Sequence, residues 1–220
     1  MELTTENEIG FIINDSEVFD KICSWNGEEF GGWILPFDVQ RSSIFLDTED
    51  FTLNTNDKVL SLVTNASLKE PDMNKFMFKV GKYKDNFRKE SSIFFQKNED
   101  YTTYLNKICS LAGEEKLESK LVPKIVMKQH RFKRYFIEDS TKIFISIDSA
   151  TFFKPDDTNN PIGTVYVCEI ETAEESVSPL VQNKIKELAN IIKVNYEGVP
   201  SNKSKYEYGL QFLFKQGVTL

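Results

Sequence analysis

Two pairs of glutamates, each spaced two residues apart, stand near opposite ends of the 220-residue chain. Glu6 and Glu8 lead into an apolar run near the start, and Glu169 and Glu171 end a similar run near the other end. Because residues i and i+2 of a strand share a face, each pair presents two carboxylates side by side. Carboxylate oxygens are the ligands that Mg²⁺ and Mn²⁺ prefer. Although a single such pair is more often the solvent face of a strand, two pairs predict a wet, acid-lined interior able to hold metal ions.

Other kinds of catalytic site find little support in the sequence. His130 is the single histidine, and no serine or cysteine motif accompanies it, so a nucleophilic triad is not expected. The chain also has no glycine-rich phosphate loop. Its three cysteines, Cys23, Cys109 and Cys168, are far apart, which excludes a clustered zinc site and predicts free thiols in a reducing cytoplasm.

The composition is that of an ordinary globular protein, with 40% hydrophobic and 28% charged residues. A net charge of −7 argues against an extended nucleic-acid-binding surface. The chain contains no run of about 20 apolar residues of the kind that spans a membrane. Its polar, acidic beginning is unlike a signal peptide. These features predict a cytoplasmic protein with no membrane partner.

Strands dominate the elements that must position the two acidic pairs. Short connections between them favour antiparallel pairing, and charged residues at alternate positions favour a closed, polar interior. The predicted fold is therefore α+β, an antiparallel β-barrel or tunnel of about eight strands with flanking helices, in a single domain over residues 1–220. Strands are expected at 5–13, 41–47, 58–64, 75–83, 86–96, 123–138, 141–149 and 164–172, helices at 16–25, 99–112, 178–193 and 202–214, and loops at 26–37 and 155–163.

The order of the motifs along the chain resembles that of the triphosphate tunnel metalloenzymes, also called the CYTH superfamily. The resemblance covers nearly the whole chain, and it rests on order and spacing because each motif alone is weakly specific. The matching pieces are Glu6 and Glu8, the segment 44–50, Lys79, the segment 88–92, Arg134-Tyr135, Asp148, Glu169 and Glu171, and the closing segment 201–207.

The resemblance implies a role for each matching residue. It makes Glu6, Glu8, Glu169 and Glu171 the catalytic carboxylates and ligands of Mg²⁺ or Mn²⁺, with Asp148 and Glu90 as supporting metal-binding acids. It makes Lys79, Arg88 and Arg134 contacts to substrate phosphates. If Arg134 faces inward, alternation also turns Lys128, a further substrate contact, together with His130 and Phe132, into the tunnel, and it points Arg131 and Lys133 outward.

Several positions depart from the pattern of the family. Gly10, Ser61 and Val63 stand where family members carry cations that bind the triphosphate, and Ser92 replaces an acid. Each charge-assisted phosphate contact is worth roughly 1.5–3 kcal/mol, so the loss of three would weaken binding unless other cations replace them.

Three functions fit these residues. The first is metal-dependent hydrolysis of inorganic, nucleoside or thiamine triphosphate. The second is a catalytically degenerate tunnel that binds a nucleotide, another phosphate ligand or a partner protein without turnover, and a tunnel adapted to a different, less charged ligand fits the same substitutions. The third is a cyclase that acts on ATP. The expected partner is a triphosphate or nucleotide, and a homodimer is left open.

Overall fold

Nine antiparallel strands form the framework of the protein, whose computed structural model describes residues 2–64, 72–81, 87–114, 120–172 and 177–216. The strands are β1 (Glu2–Ile13), β2 (Ile34–Asp47), β3 (Lys58–Thr64), β4 (Met73–Val80), β5 (Phe87–Gln96), β6 (Val122–Glu138), β7 (Thr141–Lys154), β8 (Asp157–Thr172) and β9 (Val199–Ser201).

The eight long strands are paired in a ring. Their order is β5-β4-β3-β2-β6-β7-β8-β1, and the short β9 adds to β1. The N-terminal half of β1 also pairs with β5, with Glu2 opposite Ser92 and Asn7 opposite Phe87. Because this pairing joins the first and last strands of the series, the hydrogen-bonded ladder surrounds a central tunnel. The predicted α+β barrel or tunnel with flanking helices is thereby confirmed.

Within the described ranges, five α-helices and one 3₁₀ turn (Glu28–Phe30) connect or cover the strands. Side chains of Asp15, Asp100 and Ser178 accept hydrogen bonds from the first turns of three of the helices, and Ser204 and Glu207 form a capping box on the last. The helices are α1 (Ser16–Ser24), α2 (Thr52–Thr55), α3 (Tyr101–Leu111), α4 (Pro179–Asn195) and α5 (Lys205–Lys215). Within the described residues, none of these helices has the length and apolar character needed to cross a bilayer.

The apolar faces of most strands point out of the tunnel. On one side, residues of β1, β6, β7 and β8 pack beneath α1 and α4 around Phe11, Ile145 and Ile170. On another side, residues of β3, β4 and β5 pack beneath α3 around Phe76 and Phe95. Since these helices take up the outward apolar residues, the alternate, inward positions are left for polar side chains.

Helix α5 fills one end of the tunnel. Its Tyr206 and Leu210 pack against inward residues of the strands, including Ile125 and Phe152. The Tyr206 ring stacks on Phe45 with centroids 5.1 Å apart, and its hydroxyl donates to Asp47 at 3.2 Å. Burial, reinforced by the Asp47 charge, raises the pKa of Tyr206 far above its ordinary value. This anchor fixes the start of α5, and with it Lys205, relative to the strands.

A Gly163→Ala substitution is expected to destabilise the protein by about 1–3 kcal/mol, because it overpacks the contact between β8 and α5. A Cβ at Gly163 would come within 2.4 Å of the Phe212 ring. Urea unfolding measures the change. A second substitution, Phe212→Leu, in the Gly163→Ala background should recover part of the loss, and an unchanged free energy of unfolding in the single variant would contradict the packing described here.

Parts of two segments predicted as loops belong to strands instead. The loop expected at 155–163 is a turn at 155–156 followed by the start of β8, and residues 34–37 of the loop expected at 26–37 belong to β2. Proline suggested loops because it lacks the N–H that a ladder needs. Both prolines involved, Pro36 and Pro161, stand next to register shifts, which tolerate the missing donor. The ends of two predicted strands, at 82–83 and 86, lie outside the described residues.

Candidate functional site

Inward side chains in the middle of the tunnel form a belt of opposite charges, called the charged belt below. Strand register places these residues on one continuous face: Arg131 pairs with Asp148, Lys79 with Glu90, and Glu8 with Glu171. The members of the charged belt are Glu8, Arg41, Lys75, Lys79, Glu90, Arg131, Lys133, Asp148, Glu169 and Glu171 from the strands, and Lys205 from α5.

The most buried part of the charged belt is a four-residue network. The Arg131 guanidinium donates to both oxygens of Asp148 at 2.7 and 2.6 Å and to Glu169 Oε2 at 3.1 Å. Lys205 Nζ pairs with Glu169 and lies 3.0 Å from Asp148 Oδ2. Asp148 is fully buried and Glu169 is only 5% exposed. The two acids are therefore held by two cations that come from different parts of the chain.

Both acids of this network are ionised at neutral pH. Burial acts to raise the pKa of Asp148, but the charges of Arg131 and Lys205 outweigh it and hold that pKa below its ordinary value. The pKa of Glu169 is likewise held well below its usual range by Lys205 and Arg131, against the effect of burial. A carboxylate of such low basicity is suited to binding cations and poorly suited to accepting a proton as a general base.

Two further groups of ion pairs extend the charged belt around the tunnel. Lys133 Nζ pairs with Glu171 on β8. On the opposite side, Glu90 lies 3.0 Å from Lys79 and 3.6 Å from Lys75. Every side chain in these pairs is mostly buried, so the pairs are shielded from solvent far more than surface ion pairs are.

Arg41 differs from the other cations of the charged belt. Its Nε donates to the Gln129 side-chain oxygen at 2.8 Å, and among the described residues no carboxylate lies within ion-pair distance of it. Burial lowers the pKa of Arg41 to about 10, the charge of Arg131 acts in the same direction, and the charges of Asp148, Glu169 and Glu90 act against them. Arg41 is thus a charged group at neutral pH, and among the described residues its direct partner is a neutral amide.

Polar atoms without a protein partner also line the tunnel. Ser61 Oγ, Ser146 Oγ and Gln129 Nε2 are buried and make no hydrogen bond within the described part of the chain. All three residues occupy inward positions by register with the charged belt. Buried polar groups are normally satisfied by protein, water or ligand. The interior is therefore suited to a polar, hydrogen-bonding occupant.

The structure brings together most of the acids that the sequence singled out. Glu8, Glu169 and Glu171 lie on adjacent strands, and the Glu8 carboxyl group lies within hydrogen-bonding distance of Glu169. Glu6 lies two residues before Glu8 and pairs in register with Arg88. The side chains of Glu6 and Arg88 fall outside the described part of the structure. Gly10, Ser61, Val63 and Ser92, the positions that depart from the family pattern, all occupy inward positions.

The predicted orientation of β6 was wrong. Arg134 points outward, where its guanidinium donates to the Cys23 and Trp25 carbonyl oxygens at the end of α1. Lys128 and His130 share that outer face: Lys128 donates to the Thr158 carbonyl oxygen, and His130 contacts Asp38 at 2.5 Å. Phe132 lies there too and packs against the cluster beneath α1 and α4. The residues expected outside, Arg131 and Lys133, are the ones in the tunnel.

An Arg134→Ala variant is expected to lose about 1–3 kcal/mol of stability and to keep its ligand affinity. The guanidinium satisfies two carbonyl groups at the C-terminus of α1, where a positive charge is favoured. Burial lowers the pKa of Arg134. Urea unfolding and titration with tripolyphosphate measure the two quantities. A loss of tripolyphosphate affinity at unchanged stability would instead place Arg134 in the binding site.

Sequence reasoning missed five cations of the charged belt, which are Lys75, Arg41, Arg131, Lys133 and Lys205. For β6 the sequence did not show which alternate residues face the tunnel, because cations occupy both odd and even positions between 128 and 134. The aromatic residues Phe132 and Phe136 mark the opposite face, because the apolar side of this sheet lies against helices. Lys205 could have been suspected from its place directly before Tyr206 in the closing motif.

The carboxylates of the charged belt are chemically suited to Mg²⁺ or Mn²⁺, but cations already engage them. Within the described ranges, no group of three or more acidic, histidine or cysteine side chains is arranged to hold a metal ion. The hydrogen bond between the Glu8 and Glu169 carboxyl groups, which helps to lower the pKa of Glu169, nevertheless places oxygen donors from two strands side by side. The donor set therefore fits a divalent cation that displaces Lys133 or Lys205 from its acid.

Comparison with known proteins identifies the fold through structure alone. No family model and no curated protein sequence matches the chain. A proposed adenylate cyclase from Bacillus halodurans matches its structure with a TM-score of 0.61 and 14% identity, covering 94% of this chain and 98% of the other. A Hippeastrum protein described as a proposed adenylyl cyclase with a dominant triphosphatase activity matches with a TM-score of 0.60 and 15% identity, over 100% and 98% of the two chains.

A protein from Pyrococcus horikoshii also matches, with a TM-score of 0.53 and 14% identity over 94% of this chain and 98% of the other. Matches that span nearly the full length of both chains at such low identity show a shared architecture. They confirm the fold that the motif order predicts. The protein has the CYTH, or triphosphate tunnel, fold.

Proposed function

We propose that the charged belt binds a triphosphate compound and hydrolyses it with the help of Mg²⁺ or Mn²⁺. The observation that carries this proposal is the Arg41 guanidinium, which faces the tunnel and has a neutral amide as its partner. A charge held in a partly buried site without a counter-charge is costly, and an anionic ligand relieves that cost. Guanidinium groups match phosphate oxygens in geometry as well as in charge.

The other cations surround the same space. Arg131 and Lys133 lie on β6, Lys75 and Lys79 on β4, and Lys205 on α5. A triphosphate carries several negative charges close together, so its binding and its hydrolysis both depend on cations placed around it. These residues take over the role of the family cations replaced by Gly10, Ser61 and Val63.

The metal would be held by Glu8, Glu169 and Glu171, with Glu6 as a further candidate ligand on β1. Bound there, Mg²⁺ or Mn²⁺ supplies charge neutralisation and lowers the pKa of a water molecule. In that arrangement Glu169 would contribute by binding the cation, as it binds Arg131 and Lys205 in the structure. The described activity of the Hippeastrum protein supports hydrolysis only at the level of a shared fold.

A tunnel that binds triphosphate without turnover is the second candidate. It is favoured by the engagement of Glu169 and Glu171 with Lys205 and Lys133, which a metal must displace. In that case the ion pairs hold the site in a state that binds anions and excludes metals.

Phosphate release from tripolyphosphate, ATP and thiamine triphosphate, with and without Mg²⁺ or Mn²⁺, distinguishes the two candidates. Hydrolysis predicts metal-dependent release that falls at least a hundredfold in Glu169→Gln and Glu8→Gln variants. The matched control is Glu187→Gln, which removes a carboxylate exposed on α4. Binding without release in any of these mixtures, detected as a ligand-dependent rise in Tm, would favour the second candidate. Neither binding nor release would reject both.

A further inference from the structure

Two aromatic rings lie on the inward face of the tunnel, next to the charged belt and away from α5. Tyr135 follows Lys133 by two residues on β6 and pairs in register with Phe144 on β7. The pairing of β6 with β7 has no register shift between 126 and 138, so alternation keeps Tyr135 on the face of Arg131 and Lys133. The two ring centroids are 5.3 Å apart, and both residues are half-buried.

The order of residues along β6 shows which end of the tunnel these rings occupy. Met127 belongs to the apolar cluster with α5, Gln129 follows it, Arg131 and Lys133 come next in the charged belt, and Tyr135 comes last. Each step of two residues advances about 6–7 Å along the strand. Since α5 fills the end near Met127, Tyr135 and Phe144 lie toward the opposite end of the tunnel, which is called the mouth below.

Lysine ammonium groups lie over both rings. Lys133 Nζ is 4.4 Å from the Phe144 ring centroid, and Lys142 Nζ is 5.3 Å from the Tyr135 ring centroid. Lys133 also pairs with Glu171 in the charged belt. A phosphate that draws Lys133 toward itself would uncover the face of Phe144, so phosphate binding and access to the ring are coupled through one flexible side chain.

Aromatic rings beside a phosphate site suit a ligand that carries its own flat ring, and base–aromatic stacking tolerates any nucleobase. We propose that Tyr135 and Phe144 stack the base of a nucleoside triphosphate whose phosphates lie in the charged belt. This inference rests on the proposed binding of triphosphate. Inorganic triphosphate has no group to place on these rings. The cationic ring of thiamine triphosphate would meet the like charges of Lys133 and Lys142, which disfavours it at the mouth.

The test compares ATP, thiamine triphosphate and tripolyphosphate binding to the full chain by calorimetry. The variants are Tyr135→Leu and Phe144→Leu, with Tyr101→Leu as the control because it removes an aromatic ring exposed on α3, outside the tunnel. We expect the unmodified protein to bind ATP more tightly than the other two ligands. Each mouth variant should lose about tenfold in ATP affinity and change less than twofold for tripolyphosphate, which also verifies that it is folded.

The outcomes separate this inference from the function on which it rests. Equal ATP affinity in the mouth variants and the control, with tripolyphosphate still bound, would overturn the stacking role alone. Tighter binding of thiamine triphosphate than of ATP would overturn the choice of a neutral base. If none of the three ligands binds the unmodified protein, the proposed triphosphate site itself is refuted.

Discussion

An Arg41→Gln variant is expected to bind tripolyphosphate about ten- to hundredfold more weakly than the unmodified protein. A charge-assisted hydrogen bond contributes roughly 1.5–3 kcal/mol, and each 1.4 kcal/mol corresponds to a factor of ten. Arg41 should show the effect clearly because its removal leaves no described carboxylate without a counter-charge. Glutamine keeps a hydrogen-bond donor that can reach Gln129, so the loss of tripolyphosphate affinity reports the missing charge and not a vacant space.

Lys128→Gln is the matched control for this prediction. It removes a positive charge from the outer face of β6, where Lys128 donates to the Thr158 carbonyl oxygen and lies 4.5 Å from the Phe153 ring centroid. Calorimetric titration should give it the affinity of the unmodified protein within about twofold. The binding site would have to lie outside the tunnel if Lys128→Gln lost more affinity than Arg41→Gln.

Much of the fold could be predicted because its determinants are local. Strand propensity and period-2 patterning mark most of the strands, and capping residues such as Asp15, Asp100 and Ser178 stand at the predicted helix starts. The prediction failed where a proline was interpreted as the sign of a loop. Pro36 and Pro161 are tolerated inside strands because register shifts at those points remove the need for their N–H.

The composition of the site was harder to predict, because a polar tunnel reverses the usual rule for strand faces. In β6 the aromatic residues Phe132 and Phe136 face outward beneath helices, and Arg131 and Lys133 face inward. A strand with cations at both odd and even positions does not reveal which of them face the tunnel. Only the pairing with Asp148 and Glu171, which are distant in sequence, settles the phase.

The absence of the family cations at Gly10, Ser61 and Val63 suggested a weaker phosphate site. The structure places other cations of the charged belt, Arg41 and Lys75, on β2 and β4, the two strands that flank Ser61 and Val63 on β3. In a closed ring of strands, a cation on a neighbouring strand can therefore face the same space as a cation that is missing. A comparison confined to single positions does not detect this exchange.

Replacement of Arg131 by methionine is expected to destabilise the protein by about 3–5 kcal/mol, the cost of leaving a buried carboxylate without its main counter-charge. Asp148 is fully buried and receives two hydrogen bonds from Arg131, and Glu169 receives a third. Lys205 remains as a partner of both acids, which limits the loss to a value that the protein can survive. Urea unfolding at pH 7 measures the change.

An Arg131→Met, Asp148→Asn double variant is the control, because it removes the unpaired charge together with its partner. Its free energy of unfolding should be at least about 1 kcal/mol higher than that of Arg131→Met alone, since a complete buried ion pair often contributes little net stability. Additive losses from the two substitutions would show that Arg131 and Asp148 do not stabilise each other.

The same network predicts how stability depends on pH. Asp148 and Glu169 have lower pKa values in the folded protein than their ordinary values of 3.8 and 4.5. Their stabilisation is therefore fully present above about pH 4.5 and is lost as the pH falls through the folded values. Arg131→Met removes much of the positive charge that lowers these two pKa values. The difference in unfolding free energy between the unmodified protein and this variant should therefore be largest at neutral pH and should shrink below about pH 4. A difference that stays constant from pH 7 to pH 3 would mean that Arg131 stabilises the fold through packing and not through its charge.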